Sequence, residues 1–273
     1  MKFAICNEMF KDLSFAEVCR FAADVGYEGV EIAPFTVADS IEDVDAGRRE
    51  ELRRAAADAG VEIVGLHWLL ASPKGLHLNS HDRAVRGRTV RYLDALIAFC
   101  GDIGGRTLVF GSPRQRNVLP GQTYREVWDN AVRVFGELAP RAVECGVCLC
   151  IEALGPVETN FINTAAEARR LVDAVDHPGF RMMLDVKGMS DDDEPIPDII
   201  RRHADRMEHF HANDASTMAP GFGKTDFASI GAALREVAYD GWVSVEPIDF
   251  SPDPNTIARE SLRYLNEHLL PKG

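Results

Sequence analysis

Eight short runs rich in apolar and β-branched residues recur along the chain, and each is followed by a stretch of helical periodicity. The runs are KFAIC at 2–6, GVEIA at 29–33, EIVGLH at 62–67 and TLVFG at 107–111, then VCLCIE at 147–152, RMMLDV at 181–186, MEHFHA at 207–212 and WVSVE at 242–246. Their apolar residues are continuous rather than alternating, the pattern of strands covered on both faces. Between them, the segment 81–103 repeats Val85, Val90, Leu93, Ile97 and Cys100 on one helical face, with Ser80 placed to cap its start. The segment 123–145 does the same through Val127, Ala131, Phe135 and Leu138, and Pro140 is expected to break or kink it. Gly60, Gly146 and Gly241 each precede a strand, where a helix C-cap is expected. Strict alternation of eight such units in about 250 residues predicts an α/β chain folded as one (β/α)8 TIM barrel over 1–273. The competing architecture, an open doubly wound sheet, lacks the G-x-G-x-x-G expected after a first strand that binds dinucleotides.

Composition narrows the function. With 273 residues, 46% of them hydrophobic, the chain can bury a large core. Thirty Lys and Arg against 43 Asp and Glu give a formal charge of −13, which argues against a nucleic-acid partner. The opening MKFAICNEMF has too short an apolar stretch for a signal peptide, and no run approaches the ~20 apolar residues of a membrane span. No membrane association and a cytoplasmic location are therefore expected, with the six cysteines reduced. Cys145, Cys148 and Cys150 form C-x-x-C-x-C, yet no second pair stands at zinc-site spacing, and the reading is buried thiols. The amphipathic outer helices are equally compatible with a homo-oligomer.

Polar residues intrude at the strand ends. Glu152, Asp185, His211 and Glu246 end the fifth to eighth runs, about one βα unit apart. In a barrel this puts them on four adjacent strands at the C-terminal face, where barrel enzymes build their sites. Counting back by twos from these tips places Cys150, Cys148, Met183, Arg181, His209, Met207, Ser244 and Trp242 inward. The opposite set, apolar apart from Glu208, would face the helices. Three carboxylates at one point repel each other unless some stay protonated or a cation joins them. An oxygen-rich set with one imidazole suits Mn²⁺, Mg²⁺ or Co²⁺ better than Zn²⁺. The competing reading is a solvated set of ion pairs. His211 would be the ligand, and His209, one layer lower, a supporting or core residue.

Other positions are open between site and scaffold. His67, ending the third run, would contact a substrate hydroxyl or pack a loop. Glu31, inward by parity, serves the site or an ion pair. Trp68, Phe110 and Phe250 wall a pocket or simply pack. Lys224, in PGFGKTD at 220–226, holds a phosphate or belongs to a mobile lid. SDDDEP at 190–195 reads as a solvated acidic loop.

The stretches LCIEALGP, MMLDVKGMS, HFHANDA and GWVSVEP resemble the metal-ligand motifs of the xylose isomerase-like superfamily of sugar phosphate isomerases and epimerases. GLHWLLASPKGLH and VFGSPRQRN resemble loops of the same superfamily. The resemblance implies a divalent metal, Mn²⁺ foremost, on Glu152, Asp185, His211 and Glu246, with Glu152 and Glu246 as the catalytic acid/base pair. It implies that Glu158 hydrogen-bonds near the reacting carbon; His67, Lys187 and His209 complete the candidate substrate-binding set. Two positions depart from the epimerase pattern: Gly188 stands where the family often has a histidine, and Thr217 where it commonly has an arginine.

The implied activity is that of an isomerase, a sugar or sugar-phosphate isomerase/epimerase. It would abstract a proton next to the carbonyl of a sugar or polyol-derived ketone through a metal-stabilised enediolate. Loss of a leaving group from that intermediate would instead give a dehydratase or lyase. A sugar-binding accessory protein without catalysis is the non-enzyme alternative. An abasic-site endonuclease on this barrel needs several zinc ions and extra histidines, which eight histidines and a charge of −13 disfavour.

Overall fold

The computed structural model describes residues 1–271. All eight runs form strands: β1 Lys2–Cys6, β2 Gly29–Ile32, β3 Glu62–Leu66, β4 Thr107–Phe110, β5 Cys148–Ile151, β6 Phe180–Asp185, β7 Met207–Ala212 and β8 Trp242–Val245. They pair in parallel in chain order, and β8 pairs back onto β1 to close a barrel. The helices lie outside it: α1 Phe15–Val25, α2 Ala46–Ala59, α3 Arg83–Asp102, α4 Pro113–Arg116 and α5 Tyr124–Glu144. Then come α6 Ala165–Val175, α7 Val186–Ser190, α8 Ile196–His203, α9 Phe227–Glu236 and α10 Pro254–Leu269.

Two apolar clusters follow from the alternation of side chains along each strand. A large one fills the space between strands and helices. A small one, Val109, Cys148, Cys150 and Met183, plugs the barrel itself. The cysteines of the C-x-x-C-x-C run are thus free thiols, Cys148 and Cys150 in the interior and Cys145 half-buried.

Strand parity fails in β7. Met182 stands opposite Met207, but Met183 stands opposite His209, so β7 carries one extra residue. Met207, expected inside, joins the outer cluster. Glu208, expected outside, lies with its Oε2 2.9 Å from Arg181 Nε. Above this bulge the alternation resumes, and His209 and His211 point inward.

Two helix expectations are corrected and the one at Pro140 is narrowed, since no break occurs there. Asp82, not Ser80, caps α3, its Oδ1 accepting from the Ala84 amide at 2.7 Å. Helix α5, opened by a capping box of Thr123 and Glu126, runs unbroken through Pro140. An interior proline costs ~3 kcal/mol or more. Burial of Val134, Phe135 and Leu138 on one side and Ala142 on the other offsets it, at roughly 1.5–3 kcal/mol per large side chain. Gly60 and Gly146 take the left-handed backbone as expected, whereas after α9 Ala238 does so at φ 53°. Gly241 is instead small because a Cβ there would lie 2.6 Å from the Tyr239 ring.

Candidate metal centre and active site

Glu152 and Glu246 are the first residues beyond β5 and β8, Asp185 ends β6, and His211 is next to last in β7. One donor atom from each lies within 4.8 Å of all the others. Asp185 is held from two sides. Its Oδ1 accepts from the Gly188 amide at 2.7 Å, starting α7, and its Oδ2 accepts from Asn213 Nδ2 at 2.6 Å. Asn213 also donates to the Glu246 carbonyl at 3.2 Å and accepts from the Lys187 amide at 2.8 Å, tying the tips of β6, β7 and β8 together.

Burial and mutual repulsion govern the electrostatics of the cluster. Burial, then the neighbouring Glu246 and Asp185, push the Glu152 carboxyl well above the usual carboxylate range. Burial and Glu246 push Asp185 up to about 6. Burial also presses on Glu246, but the adjacent His211 outweighs it and holds that carboxyl low. His211 is raised well above an ordinary imidazole, because Glu246 and Glu31 override its burial. Left to themselves, the carboxylates share the site by taking up protons. A divalent cation removes that conflict, and three carboxylates with one imidazole suit an oxygen-preferring metal.

A layer of buried polar groups underlies the cluster. Glu31, fully buried, has Oε2 at 2.8 Å from His209 Nε2 and Oε1 at 3.1 Å from His211 Nε2. It therefore belongs to the site. His209 also lies 3.3 Å from Ser244 Oγ and sits below the cavity rather than in its wall. His67 presents its ring to the cavity, but Nε2 lies 2.8 Å from Glu8 Oε2 and Nδ1 lies 3.8 Å from Glu31 Oε1.

Above the cluster opens a cavity of about 110 Å³ whose walls include Glu152, Asp185 and Glu246. Glu158 and Lys187 form one polar side of it, with Lys187 Nζ 2.8 Å from Glu158 Oε2 and 3.6 Å from Asp191 Oδ2. Trp68, Val109, Leu154 and Ile248 supply apolar wall. Phe110 is absent from it because it faces outward onto Phe135, and Phe250 instead lies under Lys11 Nζ.

Lys224 is exposed and outside the cavity walls. The loop 220–226 is clasped rather than free. Asp214 Oδ2 accepts from the Thr225 amide at 2.8 Å, and Ser261 Oγ donates to the Pro220 carbonyl at 3.1 Å. The acidic segment 190–195 is likewise engaged, through Asp191 with Lys187 and Glu194 with Arg202.

Both departures from the epimerase pattern have structural form. A Cβ on Gly188 would come 2.5 Å from the Ala153 carbonyl, so the backbone has no room for a side chain there. Thr217 adopts φ 72°, and its carbonyl accepts from the amides of Ile248 at 3.0 Å and Asp249 at 2.9 Å.

Sequence reasoning passed over three residues that hold the site. Glu8 carries His67, and Asn213 joins three strand tips. Arg116, fully buried, donates to the carbonyls of Glu152 at 2.7 Å, Ile162 at 3.1 Å and Phe110 at 3.3 Å. The one available signal was the position of Asn213, two residues past the candidate ligand His211.

Fold and site together define a parallel (β/α)8 barrel with a carboxylate-rich, histidine-containing pocket in its C-terminal mouth. The chain belongs to the xylose isomerase-like TIM barrel family, whose family model matches residues 19–268. It is 35% identical to a D-psicose 3-epimerase of Ruminiclostridium cellulolyticum over 120 residues, spanning 44% of this chain and 41% of that protein. With the D-psicose 3-epimerase of Agrobacterium fabrum it shares 27% identity, over 85% of this chain and 79% of the relative. The crystal structure of 3-keto-D-glucoside 4-epimerase from E. coli superposes with a TM-score of 0.85 at 20% identity, covering 98% and 99% of the two chains. Among the described residues no helix is long and apolar enough to cross a membrane.

Proposed function

We propose that this protein is a divalent-metal-dependent epimerase of keto sugars, with Mn²⁺ the expected ion. The observation that carries the reading is the placement of Glu152 and Glu246. Both face one cavity, and they stand on β5 and β8, separated around the rim by β6 and β7. Two carboxylates reaching a bound substrate from different directions can remove a proton from one face of a carbon and return one to the other.

Glu152, Asp185, His211 and Glu246 would hold the cation, which when bound supplies Lewis-acid polarisation of the ketone oxygen. Glu246 takes the proton from the carbon beside the carbonyl at its carboxylate oxygen. Glu152 is the group placed to return one from the other side.

Glu158 and Lys187 offer hydrogen bonds to substrate hydroxyls, and Trp68 and Ile248 close the apolar side, excluding water. Lys187 is already paired with Glu158, which favours an uncharged sugar over a phosphorylated one. The named relatives act on psicose and on a 3-keto-glucoside, which fits a ketone substrate. Six free cysteines fit a cytoplasmic location.

The test is incubation in D₂O with Mn²⁺ and a panel of free ketoses and 3-keto-glycosides. Epimerisation puts deuterium on one carbon of both diastereomers. A dehydrated product would make the protein a lyase instead, and an absence of exchange on every ketone would overturn catalysis by this route.

A further inference from the structure

Glu31 is the least expected residue in the barrel. It lies within a strand, opposite Cys6 on β1 and Gly65 on β3, with no exposed surface. A carboxylate so placed is costly unless every oxygen is engaged. Here both are. One oxygen meets His209 Nε2 at 2.8 Å, and the other meets His211 Nε2 at 3.1 Å. The same His209 nitrogen also lies 3.3 Å from Ser244 Oγ. Glu31 cannot turn away without stranding two buried imidazoles.

The orientation of His211 follows. Its Nε2 faces down to Glu31, while its Nδ1 faces Glu246 Oε2 at 2.8 Å. Nδ1 is therefore the nitrogen on the side of the other three candidate ligands. An imidazole that donates from one nitrogen to a carboxylate presents the other as a lone-pair donor, in a fixed tautomer and plane.

We propose that Glu31 is the positioning residue of the cation site: by accepting Nε2–H from His211 it fixes that ring's tautomer and aims Nδ1 at the space shared with Glu152, Asp185 and Glu246. This rests on the reading that those four residues hold a divalent cation. It adds a fifth functional residue, on a strand three positions around the ring from β7 (through β8 and β1), that never touches the ion or the substrate. Its negative charge beneath the imidazole also makes Nδ1 a stronger donor.

The experiment needs no substrate. Metal-free wild type, Glu31→Gln and Glu31→Ala are titrated with Mn²⁺ by calorimetry, with circular dichroism to confirm folding. Loss of such a supporting carboxylate costs about 10- to 100-fold in metal affinity, expected in full for Glu31→Ala. Glu31→Gln keeps an acceptor and should fall between. Independently, ¹⁵N-histidine spectra of the Zn²⁺-loaded wild type should show His211 protonated at Nε2 and coordinated through Nδ1. This measurement decides the matter even if neither variant folds.

Wild-type Mn²⁺ affinity in a folded Glu31→Ala protein, or coordination through Nε2, would overturn the proposal while leaving the cation site intact. Failure of the wild type itself to bind Mn²⁺ would overturn the metal reading beneath it, and this proposal with it.

Discussion

Lys187 Nζ sits 2.8 Å from Glu158 Oε2 in the wall of the cavity, next to a glycine whose position admits no side chain. The epimerase pattern that the sequence resembles often has a histidine at that glycine. In this chain the neighbouring lysine reaches the same wall from the first turn of α7 and carries a carboxylate with it. Substrate hydroxyls would meet an ammonium–carboxylate pair rather than an imidazole. Lys187→Ala should therefore lower kcat/KM by about 10- to 100-fold, the worth of one charge-assisted hydrogen bond. Mn²⁺ affinity and melting temperature should stay near wild type. Unchanged steady-state kinetics on the best substrate would remove Lys187 from the binding surface.

Restoring the family residue should fail. Gly188→His drives a Cβ against the Ala153 carbonyl and disturbs the amide that Asp185 accepts from. Overpacking of this kind costs typically 1–3 kcal/mol. Thermal melting should show the loss together with weakened Mn²⁺ binding, and a variant that melts like wild type would mean the loop yields easily.

Glu246→Gln should keep the fold, weaken metal binding moderately and reduce turnover by at least about 10²–10⁴, the range contributed by a positioned acid or base. Deuterium exchange into the ketone should vanish with turnover. Exchange at wild-type rate would displace Glu246 from the proton-transfer role.

Metal affinity should climb with pH. Burial and Glu246 raise Asp185 to about 6, and Glu152 and His211 are raised as well, so the free protein holds protons that a cation would displace. Raising the pH through that range removes the competing protons, so Mn²⁺ binding strengthens from pH 5 to 7. Calorimetry in buffers of different ionisation enthalpy should count at least one proton released per ion bound. Affinity independent of pH would mean the carboxyls are already ionised.

Arg116→Leu should be costly far from any substrate contact. Three carbonyls, including that of Glu152, lose a charged donor, and an orphaned buried polar group costs about 1–3 kcal/mol. A melting temperature lower by several degrees is expected. An unshifted melt would show that water replaces the guanidinium without penalty.

The strands were legible because each is covered on both faces and so reads as an unbroken apolar run, ended by the polar residue it delivers to the mouth. Glu152, Asp185, His211 and Glu246 advertised themselves in that way. Glu31 was legible as an inward carboxylate by parity, but its partners were not, because they lie 178 and 180 residues away on β7 and only closure of the ring brings them together. Glu208 misled, since a bulge leaves no mark in composition. Pro140 does not break its helix, because burial of the helix outweighs the local penalty. Arg116 was opaque because its partners are backbone carbonyls, which every residue owns and no motif records.

Strand β8 pairs with β7 on one side and with β1 on the other, and Glu246 follows directly upon it. The last ligand thus arrives with the segment that seals the wall. During synthesis an incomplete chain can neither finish its cylinder nor gather its full set of candidate donors, so if these four hold a cation, its premature capture by a half-made protein would be disfavoured. Architecture and chemistry pass through a single checkpoint.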